Sequence, residues 1–395
     1  MKRFLAVMLA VCLAVCFAGC DKTEAPAQTA PTTQPVTEPA LQGARVAMSL
    51  PEETAQWQAC AEGITTLLAG QGHSVQVQYA QGSTQTQIKQ IHGFLEKNVD
   101  LLLVASVDDM ALDGELENAA AAGVQVVTLD RQVIHAQNVD AAVTFDYVSL
   151  GVAMGSQIIE AKTLDTAAAE KRSYTIEFFM GTAEDHNAVQ LHQGLLSVLQ
   201  PYLDSGVLRC ETGRVTMEDT YIQGADRETA KDKCTQYLEM YTDKKLDIVC
   251  AAWDSVAAGC IEALTEAGYT EETWPVITGV GGDAAAVRNI LEGKQTHTIY
   301  RDSSQLQDIC SKIAHALLTG EALSGLDIPA ITGTSGTPVY HAPVVQVSGV
   351  KGLKALLDYG VSAESLGLSE EDMTRINAPE EETPAQTEEN TAAAS

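Results

Sequence analysis

Residues 101–131 read LLLVASVDDMALDGELENAAAAGVQVVTLDR. Leu101–Val104 is apolar at successive positions, so both faces of that segment call for burial. A helix-like stretch follows and stops at Ala121-Ala122-Gly123, and a second apolar run, Val124–Leu129, begins at once. A helix that ends in glycine and passes directly into a short apolar run marks a βα repeat. Runs that are apolar on both faces belong to a parallel sheet covered by helices on each side. This stretch therefore predicts an α/β architecture.

The same rhythm extends in both directions. Upstream, Val46–Leu50 reads as a buried strand, Thr54–Leu68 as a helix stopping at Gly70, and Ser74–Tyr79 as an alternating strand. Gln85–Asn98 is an amphipathic helix with Ile88, Ile91 and Leu95 on one face. Downstream, Ala142–Phe145 is a further strand. A second series then begins with a helix from Leu150 and strand Thr175–Met180. Helices near Asn187–Leu203 and Asp226–Tyr241 flank strand Val207–Cys210. Strand Asp247–Ala251, helix Val256–Ala267, strand Val276–Thr278, helix Ala284–Glu292 and strand Thr296–Tyr300 complete it. Each series has the length of one doubly wound domain, which predicts two Rossmann-like lobes.

Composition narrows the function. The chain has 395 residues, 45% of them apolar, with 24 Lys+Arg against 53 Asp+Glu and a formal net charge of −29. Nucleic acid binding needs a basic footprint, and so does attachment to an anionic lipid surface. Neither fits. At the front, Lys2 and Arg3 precede an unbroken apolar run from Phe4 to Phe17 and then Ala18-Gly19-Cys20. A basic start, a short apolar core and small residues read as an export signal over 1–19. The end of that segment resembles a bacterial lipobox, with Phe17 where Leu is usual, which implies a lipidated Cys20 and a membrane anchor. Residues 20–42 are rich in Pro, Thr, Ala and Gln and read as an extended tether. Residues 377–395 carry Glu380, Glu381, Glu382, Glu388 and Glu389 without a basic residue and read as a solvated acidic tail. Cys60, Cys210, Cys234, Cys250, Cys260 and Cys310 form no C-x-x-C pair; buried free thiols are the reading, with a Cys234–Cys250 or Cys250–Cys260 disulfide as the alternative.

Ligands of doubly wound sheets bind at the carboxyl ends of the strands. The groups found there are Gln56-Trp57, Asp130-Arg131, Glu184-Asp185-His186-Asn187, Trp253-Asp254, Asp283 and Arg301-Asp302. Carboxylate, amide and guanidinium groups satisfy sugar hydroxyls, and an indole covers a sugar's C–H face. Each residue has a plainer role open to it. Trp57 could be helix core; Asn187, Asp254 and Asp283 could cap helices. Trp253 reads as core. His186 and His192 share no helix face, so no metal site is expected. No G-x-S-x-G, H-E-x-x-H, Walker A or complete G-x-G-x-x-G is present, so an enzyme and a cofactor are not expected.

The pattern Trp57, Thr128-Leu129-Asp130-Arg131, Thr144-Phe145-Asp146, Gly181, Glu184-Asp185-His186-Asn187-Ala188, Trp253-Asp254, Gly279 and Arg301-Asp302 resembles the periplasmic binding protein type 1 family. It is most similar to the xylose-, ribose- and multiple-monosaccharide-binding receptors of ABC importers. Tyr79-Ala80-Gln81-Gly82 and Leu103–Asp108 resemble the xylose branch in particular. The resemblance implies lobes at 44–146 plus 301–335 and at 147–300 plus 336–368. It implies a three-crossing hinge near Phe145-Asp146, Tyr300-Arg301 and 335–338. It implies a monosaccharide held between the lobes by Trp57, Gln56, Asp130, Arg131, Asn187, Asp254, Arg301 and Asp283. Delivery to an ABC permease follows from it, with the chain a monomer. A receptor for a sensor kinase or chemoreceptor, or a binder of a nucleoside or polyol, is the alternative. The family's second stacking Trp has no counterpart in Gly224-Ala225-Asp226, and Tyr221 stands nearby as a substitute.

Overall fold

Leu101, Leu102, Leu103 and Val104 are all fully buried, because successive side chains enter different cores. Leu101 and Leu103 pack with Leu129, Val143 and Met48, whereas Leu102 and Val104 pack with Ile91, Phe94 and Leu116. The two-sided burial read from that stretch is thus realised. The computed structural model describes residues 43–133, 137–182, 185–241, 246–333 and 335–378. The export signal, Cys20, the tether, the acidic tail beyond 378 and Glu184 lie outside the described residues.

The strands are β1 (Arg45–Leu50), β2 (Ser74–Tyr79), β3 (Leu101–Val104), β4 (Gln125–Leu129), β5 (Ala141–Thr144), β6 (Tyr174–Phe179), β7 (Leu208–Arg209), β8 (Ile248–Ala251), β9 (Val276–Ile277), β10 (His297–Arg301), β11 (Ala330–Thr332), β12 (Pro338–His341) and β13 (Val344–Ser348). One sheet has the order β11-β12-β5-β4-β3-β1-β2, with only the β11–β12 pair antiparallel. A second parallel sheet has the order β7-β6-β8-β9. It repeats the β2-β1-β3-β4 order of the first. The antiparallel pair β10–β13 adjoins it through a single bridge between Gly281 and Tyr300. Two doubly wound α/β units result.

The chain passes between the two sheets after β5, after β10 and between β12 and β13. Helix Ser303–Thr319 returns to the first sheet and lies against helix Ala55–Gly70. The segment expected to begin the second lobe at 336 needs correcting. Strand β12 pairs parallel with β5, Val339 opposite Ala142, so Pro338–His341 belongs to the first sheet. The passage falls at Ala342-Pro343, several residues later than the expected 335–338. The second series begins earlier than read, in helix Tyr147–Ala161, which Asp146 caps by accepting from Ser149 N at 3.0 Å. That helix meets helix His186–Asp204 backbone to backbone. A Cβ at Gly151 would stand 1.9 Å from the Leu191 carbonyl oxygen, and one at Gly194 would stand 2.0 Å from that of Val148. Only glycine permits this approach. All six cysteines among the described residues are free thiols, five of them buried.

Candidate functional site

Parallel strands end together, so residues far apart in sequence gather at one edge. Here they enclose a cavity of about 540 Å³. All eight candidate residues, Gln56, Trp57, Asp130, Arg131, Asn187, Asp254, Asp283 and Arg301, line it.

Asp130 follows β4 directly and takes a left-handed backbone, φ +56. Asp tolerates that region better than most residues. The turn is held by Asp130 N donating to the Val143 carbonyl at 2.7 Å and by Thr144 Oγ1 donating to the Asp130 carbonyl at 2.9 Å. The kink points its carboxylate into the cavity. Tyr147 Oη donates to Asp130 Oδ1 at 2.7 Å and accepts from Arg301 Nη1 at 2.7 Å. Arg301 Nη1 lies 3.7 Å from Asp130 Oδ2, an ion pair but too long for a hydrogen bond. The Arg301 guanidinium also lies over three rings, 5.1 Å from Trp253, 5.5 Å from Phe145 and 6.0 Å from Tyr147. Such contacts favour a cation that has given up its water.

From the second sheet, Asp185 caps helix His186–Asp204 by accepting from Asn187 N at 3.0 Å. Its Oδ2 lies 3.3 Å from Arg131 Nε, and His186 Nδ1 lies 3.8 Å from Asp109 Oδ2. Both pairs join one sheet's loops to the other's. Burial pushes the Asp185 carboxyl up, and the Arg131 cation acts against that. Asn187 Nδ2 reaches the Asp130 carbonyl at 3.4 Å. Asn187 Oδ1 and Arg301 Nε are buried with no partner among the described residues. Buried polar atoms are nearly always bonded, so two orphans on one cavity wall ask for a ligand or water.

Asp254 lines the cavity as well, but its oxygens are taken. They accept from Gly282 N at 2.6 Å, Gln295 Nε2 at 2.7 Å and Thr298 Oγ1 at 2.9 Å. A Cβ at Gly279 would fall 2.1 Å from Asp254 Oδ1, so the glycines after β9 let that loop close on the carboxylate. Burial outweighs these bonds and pushes the Asp254 carboxyl up to about 6. The residue braces the loop. Asp283 caps helix Ala284–Leu291, accepting from Ala286 N at 2.8 Å.

The aromatic residues divide differently from expectation. Trp57 is 7% exposed and packs in the core as well as touching the cavity. Trp253, read as core, stands half-buried in the cavity wall, edge-on to Tyr147 with ring centres 6.0 Å apart. Tyr221 is not among the cavity-lining residues; it is 37% exposed and lies under Lys233 Nζ at 4.3 Å. Tyr147 was missed altogether. Its signal was present, an aromatic directly after the capping Asp146 at the first passage between sheets. Thr182, Asp226 and Arg227 also line the wall. Among the described residues, no group of three or more His, Cys, Asp or Glu could hold a metal ion, and no helix is long and apolar enough to cross a membrane.

Comparison with known proteins follows the same lines. The model of the family described as periplasmic binding protein domain matches residues 46–322. The multiple sugar-binding periplasmic protein SbpA of Azospirillum brasilense is 30% identical over 324 residues, 81% of this chain and 90% of its own. The multiple sugar-binding periplasmic receptor ChvE of Rhizobium radiobacter is 28% identical over 320 residues, 80% of this chain and 90% of its own. An ABC transporter solute-binding protein from Clostridium phytofermentans, solved with bound β-D-glucose, superposes with a TM-score of 0.74. It is 31% identical, and the match covers 82% of this chain and 99% of that one.

Proposed function

The chain belongs to the periplasmic binding protein family, and from that premise we propose that it captures a monosaccharide of the xylose, ribose or glucose kind and delivers it to an ABC permease. It is a binding protein of the sugar-receptor type, not an enzyme. The observation that carries the ligand class is the pair of orphaned atoms, Asn187 Oδ1 and Arg301 Nε, beside Asp130 and Arg131 in a polar wall that also holds the Trp57, Tyr147 and Trp253 rings. A sugar hydroxyl donates to Asp130 Oδ2 or Asn187 Oδ1 and accepts from Arg301 Nε or Arg131. The Trp253 and Trp57 rings cover the C–H face. Charge-assisted bonds to hydroxyls in a site shielded from water are the stronger kind.

Because the wall draws on both sheets, the bound sugar favours the closed arrangement in which Arg131–Asp185 and His186–Asp109 meet. A micromolar affinity corresponds to about −8 kcal/mol. The lobes of the proposal are 44–146 plus 301–341 and 147–300 plus 344–368. The export signal and Cys20 support a lipid anchor on the outer face of the membrane, with residues 21–42 as the tether.

A thermal-shift screen against pentoses, hexoses, polyols and nucleosides tests the reading. A ligand that binds only the folded state raises the melting temperature with its concentration. A shift with one or a few monosaccharides is the expected result. A shift with nucleosides alone, or with none of the four classes, defeats the sugar assignment.

A further inference from the structure

A second cavity, of about 310 Å³, opens at the carboxyl ends of β4, β5 and β12. Its floor is a row of side chains in register across four strands: Thr128, Ala142, Val339 and Ile331. This row lies on the opposite face from Leu129 and Val143. The returning helix Ser303–Thr319 packs its Ile309 and Ile313 with Leu129 and Val143. It therefore covers the other face and leaves this one open. The far wall comes from the second unit, with Val148 of helix Tyr147–Ala161 and Gln190 of helix His186–Asp204. Tyr147 borders both this cavity and the first.

Thr128 is 1% exposed, and its Oγ1 has no hydrogen-bond partner among the described residues. A hydroxyl buried in that way asks for water or a ligand. Gln132, Gln190 and Thr337 bring further donors and acceptors to the rim. Asp146, the carboxylate in the lining, is engaged by Ser149 N at 3.0 Å and Ser149 Oγ at 2.6 Å. The lining thus offers amide and hydroxyl groups, with the engaged Asp146 carboxylate and the His186 and His341 rings, around an apolar floor. The room equals about ten waters at roughly 30 Å³ each, which suits a single small ring with hydroxyls on its edge.

We propose that this cavity is a second, weaker site for a neutral monosaccharide, placed across the passage between the two units. The sugar class rests on the reading given under Proposed function; the cavity and its orphaned hydroxyl do not. Occupation of either site favours the same closed arrangement, so each ligand strengthens the other's binding by an equal factor.

Equilibrium dialysis of radiolabelled D-glucose and D-xylose against the full chain in detergent tests this. The expected isotherm has two classes of site, the second weaker by about tenfold or more, roughly 1.4 kcal/mol per decade. Ala142→Leu fills the floor and Thr128→Val removes the hydroxyl at nearly constant shape. Each lowers occupancy of the weaker site and leaves the tight one in place, which also shows that the variant is folded. Arg131→Ala does the reverse. A single tight class of site at saturation overturns the proposal, and so does weak binding that neither Ala142→Leu nor Thr128→Val alters. Loss of the tight class alone defeats the first reading and leaves this one standing. No binding of either sugar defeats both.

Discussion

Asp130 and Asp254 are both carboxylates set just past the end of a parallel strand, one in each sheet, and both line one cavity. Asp254 accepts from a backbone amide, a side-chain amide and a hydroxyl, all within the protein. Asp130 has Tyr147 on one oxygen, while the other faces Arg301 across 3.7 Å. Residue type and strand-end position are the same; the difference is how many protein donors reach each carboxylate. A saturated carboxylate holds a loop, and an undersaturated one is available to a ligand.

The sharpest way to break this contrast is Asp254→Ala. It strands the Gly282 amide, the Gln295 amide and the Thr298 hydroxyl, and three donors at about 1–3 kcal/mol each predict a loss of about 4 kcal/mol in unfolding free energy. Denaturant melts check it; a loss below about 1 kcal/mol would mean that water replaces the carboxylate and that Asp254 is no brace.

The pH dependence of the same residue comes next. Its carboxyl is raised from 3.8 to about 6 in the folded state. The stability it contributes is therefore fully present below about 4 and lost as pH rises through about 6. Asp254→Asn does not titrate. The stability of the wild type relative to Asp254→Asn should fall by up to about 3 kcal/mol between those limits, at 1.36 kcal/mol per unit. A flat difference profile would place the Asp254 proton elsewhere.

Asp130→Asn keeps an acceptor for Tyr147 and a residue suited to a left-handed turn, but removes the charge facing Arg301. Sugar affinity should drop by more than about 2 kcal/mol, about thirtyfold, with a much smaller change in stability. Titration calorimetry beside thermal melts separates the two. Equal losses in both would make Asp130 a second brace.

The mildest expected effect is at the aromatic wall. Trp253→Ala should weaken binding by about 1 kcal/mol through the lost stacking and the lost contact with Arg301. Trp57→Ala, in the core, should instead cost about 3 kcal/mol of stability. Melting curves and affinities measured on both variants decide which indole serves the ligand.

Much of this was legible because apolar runs are local. Leu101–Val104 and Val124–Leu129 declare buried parallel strands, and their ends place Asp130 and Arg131 at the edge that lines the cavity without further help. The misreadings share a cause. The third passage follows from the resemblance alone, and Pro338–His341, four residues with Pro at one end and His at the other, has no apolar run to assign it to the first sheet. Tyr147 and Trp253 are aromatics next to apolar stretches, and nothing local tells a cavity wall from a core. What separates Asp254 from Asp130 is equally distant: the donors that saturate it, Gln295 and Thr298, lie more than forty residues further along the chain.

The sequence by itself determined the α/β alternation, the acidic net charge, and the positions at which the cavity-lining groups leave the strands. Those properties depend on near neighbours along the chain. The tertiary structure alone decided which carboxylate is saturated by protein donors and which is not, and that Trp253 lines the cavity as well as Trp57. It also decided that Tyr147 links Arg301 to Asp130. Hydrogen-bond satisfaction and burial are set by whichever distant residues the fold brings within about 3 Å, and spacing along a chain does not encode that distance.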